Sequence, residues 1–152
     1  MTALRDWSYE EHTADVKIVG YGNTPKRAIE SVILGIMNII YDTEKVDKVI
    51  EKEYEIQGDD ILEVIYKILQ KSLEIFYVEN FAVRDVRVKN LRRIKDREKK
   101  KVYWIAKFKL FGESYNKGKH GFKKEVKAVT MHDLTLERIK KSYWVVEAVV
   151  DV

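Results

Sequence analysis

Apolar residues recur at helical spacing in two stretches of the chain. Between Ala28 and Tyr41, the side chains of Ile29, Val32, Ile33, Ile36, Met37 and Ile40 fall on one face of a 3.6-residue period. Thr24 is placed to N-cap this helix. Pro25, the only proline, falls at the first helical position, where a missing N–H costs nothing. The second stretch buries Leu62, Ile65, Leu69, Leu73 and Phe76. Asp59 or Asp60 can cap it, and Glu63, three residues after Asp60, gives a capping-box-like start. This helix should stop near Glu79-Asn80.

Elsewhere the period is two. Val16 to Val19 reads as a short strand ending at Gly20-Tyr21-Gly22, and Lys52 to Ile56 alternates weakly before Gly58. Val86 and Val88 alternate with Arg87 and Lys89. Trp104, Ala106, Phe108 and Leu110 share one face of a further strand. Val126, Ala128 and Thr130 begin another. In the last segment, Tyr143 to Val152, the side chains of Trp144, Val146, Ala148 and Val150 face one way. A charged turn is expected over Asn90 to Lys101, and a loop over Gly112 to Phe122. Strand followed by helix occurs twice. No linker rich in Pro, Gly or Ser divides the chain, so one domain is expected over residues 1–152. The pattern predicts a two-layer α+β fold, with two helices packed on a mostly antiparallel or mixed sheet.

Composition narrows the chemistry. The chain has 152 residues and no cysteine, which removes disulfides, thiol catalysis and Cys-built zinc sites. Charged residues make up 36%. With only two glutamines, that balance fits a heat-adapted source. Lys and Arg outnumber Asp and Glu by 29 to 25, an excess that matters only if it is clustered. Met1 to Trp7 carries no apolar signal core, and no run of about 18 apolar residues could span a membrane. A cytoplasmic location is expected. Phosphate-loop, dinucleotide, nucleophile-elbow, zinc-protease and EF-hand patterns are all absent from the sequence. With only His12, His120 and His132 as imidazoles, no standard nucleophile–base set is visible; since catalytic groups can be scattered in sequence, this counts against an enzyme without closing that reading.

Four features could still carry function. Glu11-His12-Thr13-Ala14-Asp15 is either a polar turn closed by local hydrogen bonds or a metal or partner site. Asp151 follows an apolar run and precedes Val152. Were Val152 the natural terminus, two carboxylates would lie one residue apart, an arrangement that a cation would balance. Such oxygens suit calcium, magnesium or manganese better than structural zinc, and Asp15 could supply a third. His132-Asp133, within Val126 to Leu134, could orient a ligand or make a turn at a strand end. Arg92, Arg93, Lys95, Arg97, Lys99, Lys100 and Lys101 crowd one segment, and Lys117, Lys119, Lys123 and Lys124 a second. These are either solvated loops or contacts for nucleic-acid phosphates.

Three of these motifs, His12-Thr13-Ala14-Asp15, the run Val126-Lys127-Ala128-Val129-Thr130-Met131-His132-Asp133-Leu134 and the closing Val149-Val150-Asp151-Val152, occur in this order. Together they resemble the archease family along the whole chain. The Gly20/Gly22 turn followed by Thr24 and Ala28 also fits. The resemblance implies a small α+β accessory protein of the RtcB-type RNA ligase, which joins tRNA halves after intron removal. Such a protein promotes the ligase's guanylylation and turnover and is not itself the ligase, so the resemblance implies an activator and not an enzyme. The resemblance also implies a metal site at Asp15 and Asp151, with Val152 contributing a backbone or terminal oxygen. Calcium is the cation expected there, with magnesium and manganese as alternatives. No ligand role is carried to His12. Met131 stands where relatives commonly have an aromatic residue, a change expected to cost little. The alternative is an RNA-binding or chaperone-like modulator of tRNA-processing enzymes that works through the basic loops.

Overall fold

The computed structural model describes residues 4–11 and 14–152 of the chain. Its elements are β1 (Arg5–Glu11), β2 (Asp15–Gly22), α1 (Pro25–Ile40), β3 (Ile50–Gly58), α2 (Ile61–Glu79), β4 (Phe81–Asp96), β5 (Lys101–Ser114), α3 (Lys117–His120), β6 (Ala128–Lys140) and β7 (Tyr143–Asp151). A single 3₁₀ turn, Thr43–Lys45, follows α1.

Both long helices start as the sequence dictates. The Thr24 hydroxyl accepts from the Arg27 N–H at 3.2 Å, with Pro25 opening α1. The Asp60 carboxylate accepts from the Glu63 N–H at 2.9 Å, and Glu63 reaches back to the Asp59 N–H at 3.2 Å. Asn80 ends α2 in the left-handed region, at φ 50°, a conformation that asparagine tolerates. The six apolar residues predicted for the buried face of α1 are all fully buried. Each contributes about 1.5–3 kcal/mol relative to exposure, an upper bound because unfolded chains already bury some surface.

Every strand pairing is antiparallel, as expected, but the strands form two sheets, ordered β1-β2-β7-β6 and β3-β5-β4. Each strand–helix unit supplies a strand to its own sheet. α1 packs on β2, β7 and β4, so it touches both sheets, while α2 packs chiefly on β6 and on the second sheet. β2 approaches α1 closely because Gly20 has no side chain. A Cβ there would lie 2.5 Å from Val32 Cγ2 and 2.7 Å from the Ala28 carbonyl oxygen. At Gly22 it would lie 2.3 Å from the Ala28 nitrogen.

The joint between the sheets is ionic. Glu30 on α1 is fully buried. It pairs with Arg27 at 3.1 Å, with Arg5 of β1 at 3.5 Å, and accepts from the Val88 N–H of β4 at 2.8 Å. Arg5 also reaches Asp85 at 2.9 Å. Burial pushes the Glu30 carboxyl above its ordinary range, against the pull of the Val88 N–H and the two guanidinium groups. The free edge of β4 is covered further by Lys26 and Arg27, which donate to the carbonyls of Lys89 and Val88.

Several local expectations are corrected. β1 was not foreseen. It is an edge strand of mostly polar residues, whose Trp7 packs against Gly35 of α1 and whose Tyr9 hydroxyl donates to the Gly35 carbonyl at 3.0 Å. The charged turn is only Arg97 to Lys100, because pairing continues out to Asp96 opposite Lys101. Gly112 to Phe122 is not one loop: β5 runs to Ser114 and α3 occupies Lys117–His120. Val126 precedes β6 rather than opening it. His132-Asp133 lies inside β6 and not at a strand end.

Candidate functional site

The register of the first sheet decides what the two ends of the chain do. β2 and β7 run antiparallel with Asp15 directly opposite Asp151 and Val16 opposite Val150. Val16, Ile18, Ala148 and Val150 are buried, so they face the helices. By alternation Asp15, Lys17, Val149 and Asp151 face the other side. The Val152 N–H reaches the Ala14 carbonyl at 3.4 Å. Ala14 and Val152 are therefore the hydrogen-bonded pair, and Asp15 and Asp151 the next, non-bonded pair, where facing side chains come closest. On the other side of β7 the Lys127 N–H donates to the Asp151 carbonyl at 2.8 Å. The end of β7 is thus fixed from both flanks. Asp151 is exposed, Asp15 half-buried, and the Val152 side chain packs against the core.

The third motif arrives at the same corner. Between Thr130 and Thr135 the pairing of β6 with β7 slips, so that Met131 to Leu134 lie against the single residue Ala148. Asp133 takes a left-handed conformation, φ 59°, while Leu134 turns inward and is buried. The Thr130 hydroxyl lies 3.3 Å from the Val149 carbonyl and 3.4 Å from that of His132. The bulge aims His132 and Asp133 over β2, where they line a shallow cavity of about 320 Å³ with Asp15, Lys17 and Val149. His132 Nε2 sits 3.3 Å from Asp133 Oδ2, and both side chains are largely solvated. Met131 is 48% exposed.

Lys17 lines the same cavity, yet its ammonium group is shared by Glu10 at 3.7 Å and Glu147 at 3.9 Å. No ion pair to Asp15 or Asp151 occurs among the described residues. Nor do three His, Asp or Glu side chains converge there closely enough to hold a metal by themselves. His12 and Thr13 lie outside the described residues. Two facing carboxylates with open surroundings fit a hard divalent cation that keeps several waters, not a closed structural zinc site.

The polar cluster that the sequence concealed lies elsewhere. His120 is buried, and its Nδ1 accepts from the Asn116 N–H at 3.0 Å, so Nε2 carries the proton and donates to Glu113 at 3.0 Å. Glu113 also accepts from the Asp47 N–H at 2.8 Å and from Lys119 at 2.8 Å. These donors hold its carboxyl down at about 2, the backbone N–H of Asp47 most of all. The arrangement resembles an oriented imidazole. All its hydrogen-bonding capacity is spent on fixing α3 and the 3₁₀ turn. Trp104 and Trp144 are half-buried against the core.

The fold and this corner define a small antiparallel α+β protein whose distinctive chemistry is a pair of carboxylates facing across two strands. The chain belongs to the Archease protein family, whose model matches residues 7–152. It is 34% identical to the protein archease of Pyrococcus furiosus over 149 residues, covering 98% of this chain and all of that one. It is 37% identical to that of Pyrobaculum islandicum over 148 residues, covering 97% and 95%. The fold is shared with the solution structure of protein 1598 of Methanobacterium thermoautotrophicum, at TM-score 0.75 and 21% identity over 96% of this chain and 98% of the other. It is shared more loosely with a Thermotoga maritima crystal structure described as an archease, possible chaperone, at TM-score 0.54 and 17% identity over 94% of each.

Proposed function

We propose that this protein is a cation-carrying accessory factor of an RtcB-type RNA ligase, which promotes the ligase's guanylylation and repeated turnover in tRNA splicing without joining RNA itself. The observation that carries this reading is the placement of Asp15 opposite Asp151, at the non-bonded position of the ladder. Family membership makes a helper role the natural frame. Asp15 and Asp151 would hold a divalent cation, calcium first, with an oxygen of Val152 and water completing its shell. Such a cation supplies positive charge to phosphate oxygens during guanylyl transfer. The remaining work falls to the chain. β1 and β6 flank the strand pair and keep the two carboxylates in register. Glu10 and Glu147 hold Lys17 back from them.

The test is a multiple-turnover ligation assay with a purified RtcB-type ligase, with and without this protein, across cations and nucleotides. Wild-type protein is expected to raise turnover. Asp15→Ala and Asp151→Ala should each abolish that effect with an unchanged circular-dichroism spectrum. Normal stimulation by both variants removes the site assignment, and no stimulation by wild type under any condition removes the function.

A further inference from the structure

The β4–β5 hairpin outgrows its sheet. The last residue of β3, Gly58, stands opposite Trp104, which pairs in turn with Arg93. Beyond that point only two strands continue, through Ile94↔Tyr103 and Lys95↔Val102 to Asp96↔Lys101. The arm therefore extends about 10 Å past the third strand before its turn. A hydrophobic pattern would not build it, because neither face has a core to meet.

What the arm carries is positive charge. Seven Arg and Lys residues lie between Arg92 and Lys101, against Asp96 and Glu98. All seven are exposed. Among the described residues none of them is within ion-pair distance of a carboxylate. Many other surface lysines are neutralised: Lys119 pairs with Asp47 and Glu113, Lys109 with Glu51, Lys67 with Glu63. Asp96 is committed to the turn, accepting from the N–H groups of Glu98 at 3.0 Å and Lys99 at 3.1 Å. Glu63 of α2 feels the field of Lys101. At the tip Lys95, Arg97, Lys100 and Lys101 line a cleft of about 440 Å³ with Asp96 and Val102.

This surface fits a polyanion better than a protein. Protein interfaces centre on buried apolar residues and are depleted in lysine. Here the only apolar side chains are Val102, 38% exposed, and the half-buried Ile94. Alternation puts Arg93 and Lys95 on one face of the ribbon and Arg92 and Lys101 on the other, with same-face neighbours on a strand about 7 Å apart. Tyr103, half-buried, stands beside them as a ring on which a base can stack. We propose that the β4–β5 arm binds the phosphate backbone of single-stranded RNA, with Lys95, Arg97, Lys100 and Lys101 forming the contact cleft. The phosphate contact follows from the arm alone; the choice of RNA rests on the ligase-accessory reading above.

The test is fluorescence anisotropy of a labelled, unstructured RNA of about 20 nucleotides, longer than the roughly 4–16 covered by one small site. Binding is measured over about 50 to 200 mM salt, with no ligase present. The variant Lys95→Gln/Arg97→Gln/Lys100→Gln/Lys101→Gln removes four exposed cations. It should weaken binding at least about tenfold and flatten the slope of log affinity against log salt by about 3, at roughly 0.7 per lost contact. The variant Lys117→Gln/Lys123→Gln/Lys124→Gln should leave the slope close to that of wild type. The proposal is overturned by an unchanged slope in the first variant or an equal loss in the second. It is also overturned by polyglutamate competing as well as unlabelled RNA, which would make the arm a surface for acidic protein. Equal competition by a DNA strand of the same sequence overturns the assignment to RNA. Because the ligase is absent, failure here and failure of the ligation assay are separate results.

Discussion

Replacing Asp15 by Asn tests the two consequences of its position opposite Asp151 in a single variant. In the non-bonded pair the Cα atoms are about 4.5 Å apart, which brings the carboxylates to about 6 Å. Two unit charges at that separation repel by about 0.7 kcal/mol at the dielectric constant of water, and by about twice that where the protein displaces half of it. Physiological salt, with a screening length of about 8 Å, halves these figures. Lys17 gives little relief, because Glu10 and Glu147 share its ammonium group. Without cation, then, Asp15→Asn should stabilise the fold by about 0.5 kcal/mol. In a chain of this length that raises the melting temperature by about 1–2 °C. Cation reverses the order. A ligand at a hundred times its Kd stabilises the native state by about 2.7 kcal/mol, which is about 5–10 °C here. Wild-type protein should therefore melt below the variant in chelator and above it in saturating calcium. The assay is a thermal melt followed by near-ultraviolet circular dichroism, first in chelator and then over a calcium titration. A variant that melts lower than wild type in chelator refutes the facing-carboxylate geometry. Equal calcium shifts in the two proteins refute the cation site.

Two further outcomes follow from the buried charges. Glu30→Ala leaves the Val88 N–H without an acceptor and Arg27 without its partner at the joint between the sheets. It should cost about 3–5 kcal/mol in urea unfolding at unchanged m-value, whereas a loss below about 1 kcal/mol would mean the joint is held by packing alone. Glu113 has its carboxyl held at about 2 against an ordinary 4.5, so its contribution to stability is complete above about 4.5 and disappears as the pH falls towards 2. Glu113→Gln should flatten the acid limb of the melting profile between those values, and an acid limb identical to wild type would show that the cluster around His120 does not couple to folding.

How much of this was legible in the sequence depends on where each residue's partner lies. The two long helices were readable because caps and apolar faces are local: Thr24, Pro25 and Asp60 act within a turn of themselves. β1 was hidden because an edge strand buries little, and only Trp7 and Tyr9 mark its inner face. The β4–β5 arm was hidden for a related reason, since a ribbon with no core on either side shows no alternation and reads as a charged turn. The bulge at Met131 to Leu134 breaks the period of two, which is why His132-Asp133 looked like the end of a strand.

The acidic corner illustrates the limit of alternation most sharply. Val16 and Ile18 in β2, and Val146, Ala148 and Val150 in β7, determine which face each strand buries, and hence that Asp15 and Asp151 share the opposite face. They do not determine the register, because a slip of two residues preserves every buried side chain and separates the acids. The axial position of β2 comes instead from its packing on α1. Gly20 and Gly22 admit the helix backbone at distances that no other residue would allow, and the Ser31 hydroxyl donates to the Tyr21 carbonyl at 2.7 Å. The position of β7 is fixed by β2 on one flank and by β6 on the other, through Ala128 opposite Asp151. Gly20 and Gly22 are far in sequence from Asp151, yet they set which residue of β7 faces Asp15. A substitution at either glycine should therefore disturb the carboxylate pair without touching it, and the motifs at the two ends of the chain can work as one site only while the helix between them holds its place.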